Sequence, residues 1–276
     1  MDDAGLPGWG TYLALDGDGN AHIAYSEVGG MDLVYATNES GAWVTDVVDV
    51  DGVSDVWIAV DADGAPFILY SYWFDWADHG LRLASKTGAD WDIEHVATGD
   101  IYRPRLLVDP DGYVQACAGG THYTNESGAW VATAIPRPAG DCAIARDADG
   151  ALHVITGGDG GVHYSTDTSG AWVTVDVTAV DSLAPQIGLD AAGDVHAAWG
   201  NWNLGDPDLW YATNMDGAWS ADALDTDGAE GYGASLAVDP EGTAHVLHAD
   251  FTDGEIRHGV VTPQNGVDDD CDGVAW

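Results

Sequence analysis

The chain has 276 residues, 46% of them apolar, with seven Lys and Arg against 47 Asp and Glu and a formal charge of −40. The apolar share is enough for a core, which excludes a disordered chain, and no apolar run approaches the ~18 residues of a membrane-spanning helix. A field this negative repels nucleic acid and anionic membrane surfaces. Forty of the acids are Asp and seven are Glu, beside 37 Gly and 13 Trp. Asp favours turns and Glu favours helices, so the composition reads as an all-β protein rich in turns.

In chain order, Met1-Asp2-Asp3-Ala4-Gly5 shows no basic start and no apolar stretch, so no signal peptide is read there. Strands are predicted over Thr11–Asp16, Ala21–Tyr25, Asp32–Thr37 and Trp43–Val48, each alternating at period two. The first strand ends in Leu15-Asp16-Gly17-Asp18-Gly19, and this ending recurs at Asp61, Asp109, Asp147, Asp190 and Asp239. The intervals are 45, 48, 38, 43 and 49 residues, with Gly three positions after each Asp. A second turn follows each one and ends in Trp: Ser40-Gly41-Ala42-Trp43, then at Trp91, Trp130, Trp172 and Trp219, with a degenerate copy at Trp276.

Four short strands and two tight turns per ~45 residues, six times over, specify a six-bladed β-propeller with four antiparallel strands per blade. Residues 1–263 are assigned to it, and 264–276 to an acidic tail that completes or follows the last blade. The last repeat has three strands, Ala234–Asp239, Ala244–His248 and Ile256–Val261, and little of a fourth. Asp2–Leu6 is expected to pair into that blade and close the ring.

The units resemble bacterial secreted β-propeller repeats. Their Trp turns, such as Thr37-Asn38-Glu39-Ser40-Gly41-Ala42-Trp43, resemble the Asp-box of sialidase-type propellers but are one residue short. The resemblance implies the fold, and it implies that these turns are structural. It does not carry sialidase chemistry with it. That chemistry needs three arginines on a carboxylate, and the chain has six Arg, of which Tyr102-Arg103-Pro104-Arg105 is an imperfect echo of the sialidase arginine signature.

In a repeat protein the shared positions report on packing and the variable ones are free for function. Three before the first Asp stand Leu13, Ile58, Leu106, Ile144, Ile187 and Leu236, which reads as core. Two before it stand mostly small residues, including Gly188. His22, His153, His196 and His245 occupy one repeated position. Equivalent points on different blades cannot converge on one metal, so these read as structural and bonded within their own blades.

The variable position, four before the Asp, holds Tyr12, Trp57, Arg105, Ala143, Gln186 and Ser235. It is expected near the mouth of the central channel. The loops of that end carry Tyr72-Trp73-Phe74-Asp75-Trp76, Asn201-Trp202-Asn203, Arg103 and Arg137. The expected ligand-binding set is therefore Trp57, Trp73, Trp76 and Trp202 for stacking, with Tyr12, Arg103, Arg105, Arg137 and Gln186 for polar contacts. A carbohydrate or other small polar ligand fits such a face, and exposed aromatics also serve protein partners.

The alternative is a hydrolase or lyase using Asp55, Asp75, Asp100, Asp141 or Asp181, although no spacing pairs them. A third reading is a structural scaffold of a surface protein. Asp268-x-Asp270-x-Asp272-Gly273 matches the first half of a calcium loop. It also resembles acidic motifs of secreted bacterial metal-binding and thrombospondin type 3-like segments, so Ca²⁺ is the one cofactor expected. Cys117 and Cys142 fall on neighbouring repeats and are read either as a bridge or as two buried thiols, with Cys271 left over. Asn38-Glu39-Ser40 and Asn125-Glu126-Ser127 match the glycosylation sequon but read first as turn chemistry. The composition suits a secreted or cell-surface setting.

Overall fold

The structure, a computed structural model, describes residues 7–27, 31–50, 52–136, 140–201, 207–228, 231–262 and 266–267. These form six four-stranded antiparallel sheets, each made of strands consecutive in the chain. Sheet one holds β1 (Pro7–Leu15), β2 (Ala21–Glu27), β3 (Leu33–Thr37) and β4 (Val44–Asp49). Sheet two holds β5 (Val53–Val60), β6 (Pro66–Asp75), β7 (Asp78–Thr87) and β8 (Asp90–Thr98). Sheet three holds β9 (Arg105–Val108), β10 (Val114–Ala118), β11 (Thr121–Thr124) and β12 (Val131–Ala134). Sheet four holds β13 (Asp141–Arg146), β14 (Leu152–Gly158), β15 (Gly161–Thr166) and β16 (Val173–Thr178). Sheet five holds β17 (Leu183–Leu189), β18 (Val195–Gly200), β19 (Leu209–Thr213) and β20 (Ser220–Asp225). Sheet six holds β21 (Tyr232–Val238), β22 (Ala244–Asp250), β23 (Glu255–Thr262) and β24 (Gly266–Val267). The chain divides into two compact units, Met1–Thr133 and Ala134–Trp276.

The repeated Asp makes its turn with its own side chain. Asp61 Oδ1 accepts from the amides of Asp63 (3.0 Å) and Ala65 (2.8 Å), and Asp190 Oδ1 does the same for Ala192 and Asp194. The Gly three residues on takes φ between 83° and 93° in all six turns, a left-handed conformation that only Gly adopts without strain. The second turn is tied down by its first residue. Asn38 Oδ1 accepts from the Ala21 amide at 2.7 Å, and Asn125, Asp167 and Asn214 repeat the contact. The two sequon asparagines therefore bond the backbone that starts the second strand of their own sheet.

Within each unit, apolar side chains fill the space between successive sheets. In the first unit Ala24, Leu33 and Tyr35 of sheet one meet Ile58, Ile68 and Tyr70 of sheet two. Leu69, Leu81 and Leu83 on the other face of sheet two meet Leu106, Val114 and Ala116 of sheet three. The second unit repeats this with Ile155, Ala197 and Trp199, and with Ala198, Leu209, Ala244 and Val246. Alternate residues of β6 thus serve opposite neighbours. The second strands β10 and β18 are buried at every residue, whereas β12 is exposed at every residue.

Two expectations are modified. Leu13 was expected in the core but is 60% exposed, because it projects from the face of sheet one that no other sheet of its unit covers. The fourth-strand place in sheet six is taken by β24, which pairs with β23 through Val261–Val267. Residues 2–6, expected to pair there, lie outside the described residues.

Candidate functional site

Tyr12, Trp57 and Arg105 stand at the same repeat position on β1, β5 and β9, and the fold brings them into contact. The rings of Tyr12 and Trp57 are 4.3 Å apart at 49°. The Arg105 guanidinium carbon lies 4.1 Å from the Trp57 ring centre and 5.4 Å from that of Tyr12. Arg105 is only 4% exposed, and its Nη1 donates to the Pro104 carbonyl at 3.1 Å. The cation is held by ring faces between first strands. This burial gives Arg105 a packing role in place of the open polar contact expected from its sequence position.

The other aromatic group is separate. Leu69 pairs with Trp57, and Trp73 follows four residues later on β6, roughly 13 Å along the strand. The β6–β7 hairpin is long, with ten residues on each side. Its turn is made by Asp75, whose Oδ1 accepts from the amides of Ala77 (2.7 Å) and Asp78 (3.0 Å). Trp73 is the cross-strand partner of His79, and their rings stack at 4.5 Å and 30°. Trp76 meets Trp73 at 4.9 Å and 81°, and it is 84% exposed. His79 Nδ1 is 3.2 Å from the Asp75 carbonyl, and its Nε2 is 3.4 Å from Asp100 Oδ1.

The base of the hairpin is rigid. The Trp73 amide donates to the Gly52 carbonyl at 2.7 Å, and a Cβ on Gly52 would lie 2.3 Å from the Trp73 carbonyl oxygen. Arg82 stacks on Tyr72 at 3.8 Å and donates from Nη1 to Asp49 Oδ2 at 3.1 Å. Tyr70 and Tyr72 donate to Asp49 (2.6 Å) and Asp78 (2.9 Å). Burial, and then Asp49, pushes the Tyr70 hydroxyl up; burial and Asp78 do the same to Tyr72. For Arg82 burial acts the opposite way and is outweighed by the hydrogen bond and charge of Asp49 together with Tyr70 and Tyr72, so its charge is locked in place.

Sequence reasoning missed Asp49, Tyr72, Asp78, His79 and Arg82 as partners of this hairpin. A signal existed in the repeats. Arg82 pairs with Tyr70 as Arg257 pairs with His248, and Asp49 pairs with Leu33 as Asp225 pairs with Leu209. In sheet six the matching set is Arg257 with Asp225 (3.0 Å) and Asp250 (2.6 Å).

The remaining predicted residues do not join this group. Arg103 lies exposed between β8 and β9 with φ of 50°. Gln186, in the second unit, donates from Nε2 to the Ala184 carbonyl at 3.1 Å. Arg137, Trp202, Asp268, Asp270 and Asp272 lie outside the described residues. Of the acids considered for catalysis, Asp55, Asp75 and Asp100 belong to the first unit and Asp141 and Asp181 to the second, where Asp141 Oδ2 accepts from the Ala184 amide at 2.9 Å.

The repeated histidines are bonded within their own sheets. His22, His153 and His196 each contact a tyrosine hydroxyl through Nδ1, at 2.6, 2.6 and 2.5 Å. His245 instead contacts His258 at 3.0 Å, beside a cavity of about 410 Å³ lined also by Ser235, Ala237 and Leu247. Among the described residues no group of three or more His, Cys, Asp or Glu is placed to hold a metal ion. Cys117 and Cys142 are disulfide-bonded, a bond that persists in oxidising environments. No helix among the described residues is long and apolar enough to cross a membrane.

No family model and no curated protein matches the chain. Solved structures do match. The intramolecular trans-sialidase of Ruminococcus gnavus is 11% identical with a TM-score of 0.56, over 87% of this chain and 89% of that one. The leech intramolecular trans-sialidase is 11% identical at 0.55, over 90% of this chain. The Hadza microbial sialidase Hz136 is 14% identical at 0.53, over 91% of this chain. The likeness is one of fold. The six sheets match those of sialidase six-bladed propellers, and the chain spans only 65% and 66% of the leech and Hz136 structures.

Proposed function

We propose that the chain is a secreted or cell-surface recognition propeller that holds a carbohydrate on the end of the β6–β7 hairpin. One observation carries the reading: the indole of Trp76, 84% exposed, is set against a Trp73 ring that is itself held by His79. A pyranose offers a face of C–H groups and a rim of hydroxyls. An exposed indole on a rigid base accepts the face, and the carboxylates of Asp75, Asp78 and Asp100 accept the hydroxyls. The disulfide supports an extracellular setting, and the propeller fold supplies rigid sheets from which such a hairpin projects.

The test is a glycan-array screen of the labelled chain, repeated with the Trp76→Ala variant. Loss of a stacking ring is expected to weaken the best hit about tenfold or more while leaving the melting temperature unchanged. A hit indifferent to Trp76→Ala would overturn the assignment. Running the array with Ca²⁺ and with EDTA also tests the proposal that Asp268, Asp270 and Asp272 bind calcium, as does calorimetry with millimolar Ca²⁺.

The hydrolase reading draws on the sialidase-like fold. Against it, Arg82 and Arg257 are bound to carboxylates and Arg105 is packed on Trp57, which removes three of the six arginines from service as carboxylate grips. Turnover of a sialoside by the purified chain would restore it.

A further inference from the structure

We infer that the ligand of the β6–β7 hairpin is a cationic saccharide, an oligomer of hexosamine with free amino groups. The inference rests on the carbohydrate reading above and specifies its charge. Trp73 stacks on His79, and Trp76 meets Trp73 edge to face at 81° and 4.9 Å while remaining 84% exposed. Aromatic faces carry negative quadrupole potential and attract ammonium groups. Carboxylates ring the same end: Asp75 in the turn, Asp78 on β7, and Asp100 against His79.

The cation at the base, Arg82, is engaged on three sides. Asp49 takes its Nη1 at 3.1 Å, Asp78 lies 3.9 Å from its Nη2, and Tyr72 covers its face. It is not presented as a grip for an acidic sugar. A ligand ammonium has three donors, and the hairpin end offers mainly acceptors and ring faces. The chain's charge of −40 adds a long-range field that draws cations in and turns anionic glycans away. A carboxylate sugar of the sialic acid kind is therefore the wrong charge for this hairpin, and an amino sugar is the right one.

Three probes separate the possibilities: a β-1,4-linked glucosamine hexamer, its fully N-acetylated counterpart, and 3′-sialyllactose. Each is titrated into the full chain, with indole fluorescence and calorimetry as readouts, at low salt and at ~0.5 M salt. The expected result is that the free-amine hexamer binds roughly tenfold or more tighter than the N-acetylated one and that sialyllactose does not bind. Trp76→Ala and Asp100→Asn should each weaken the amine hexamer about tenfold or more. Asp100→Asn removes one charge of many, so indiscriminate attraction of a polycation to an acidic protein would be nearly indifferent to it. Such indifference would overturn the inference. Equal affinity for both hexamers, still lost in Trp76→Ala, would also overturn the cationic inference while leaving the carbohydrate site standing. Binding of either hexamer unaffected by Trp76→Ala would overturn the site itself. Thermal melts of both variants establish that each is folded.

Discussion

Tyr164 Oη sits 2.6 Å from His153 Nδ1, and the other nitrogen of that imidazole sits 3.1 Å from Asp147 Oδ2. Turn, second strand and third strand are thus joined by one polar chain inside a single sheet. With Nε2–H donated to the carboxylate, Nδ1 accepts from the tyrosine hydroxyl. Burial pushes that hydroxyl up. Asp147 is held low because its bonds to His153 and to the Ala151 amide outweigh the burial that would raise it. Sheets one and five keep the set, with Tyr35 and Tyr211 as the tyrosines, and the other three alter it as a group. Phe67 and Leu83 stand in these places in sheet two, Gln115 and His122 (2.9 Å apart) in sheet three, and His245 and His258 in sheet six. Replacing both partners by apolar groups is cheap, whereas removing one strands a buried polar atom.

That asymmetry predicts the effect of Tyr211→Phe. It removes the hydroxyl bonded to the fully buried His196 and leaves Nδ1 unsatisfied. Urea denaturation should show a loss of about 1–3 kcal/mol. The double change His196→Phe with Tyr211→Leu, which copies sheet two, should cost less than the sum of the single changes.

The pH dependence follows from His196 and Asp16. Burial holds the His196 imidazole below 6.5, partly offset by Asp190 and Asp194. The unfolded chain then binds the proton more readily, so stability is full above about pH 6.5 and falls as the pH drops below it. The Asn20 side-chain amide, with its backbone amide, holds Asp16 at about 2, so its contribution is present above pH 3.8 and is lost as pH falls through about 2. Melting temperature is expected to decline between pH 7 and 5. The decline should flatten in His196→Gln, which places there the residue sheet three already uses. An unchanged slope in that variant would exclude His196 as a source.

Gly188 marks where the first strands of sheets five and six crowd. A Cβ there would meet Val238 Cγ2 at 2.6 Å. Gly188→Ala should cost about 1–3 kcal/mol by overpacking. Trimming the neighbour with Val238→Ala should recover part of it, read as a positive coupling in a double-mutant cycle.

The disulfide closes a 26-residue segment from Cys117 to Cys142. Replacing both cysteines by Ala should lower stability by about 2–4 kcal/mol, and a reducing agent should lower the melting temperature of the parent chain but not of that variant.

Much of the fold was legible because its signals are local. Asp61 bonds amides two and four residues on, Gly64 supplies the positive φ, and Asn38 reaches back only to Ala21. The hairpin's stacking residues, Trp73 and Trp76, were legible as loop aromatics. Their partners were not. His79 is set by the register of a long hairpin, and Asp49 is far from Arg82 in sequence and on another sheet. Arg105 read as an open polar residue, because nothing local reveals that Trp57 of the neighbouring sheet covers it.

The sequence by itself determined the repeat, the four-strand order of sheets one to five and the residues that make the two repeated turns, since these depend on contacts within about twenty residues. Only the tertiary structure decided that Tyr12, Trp57 and Arg105 form one column that buries the guanidinium and that Trp73 and Trp76 form a separate group with Trp76 exposed. It also decided which carboxylates neutralise Arg82. The reason is physical: period-two alternation assigns a side chain to a face but not to a partner, and the partner is chosen by how one twisted sheet packs on the next.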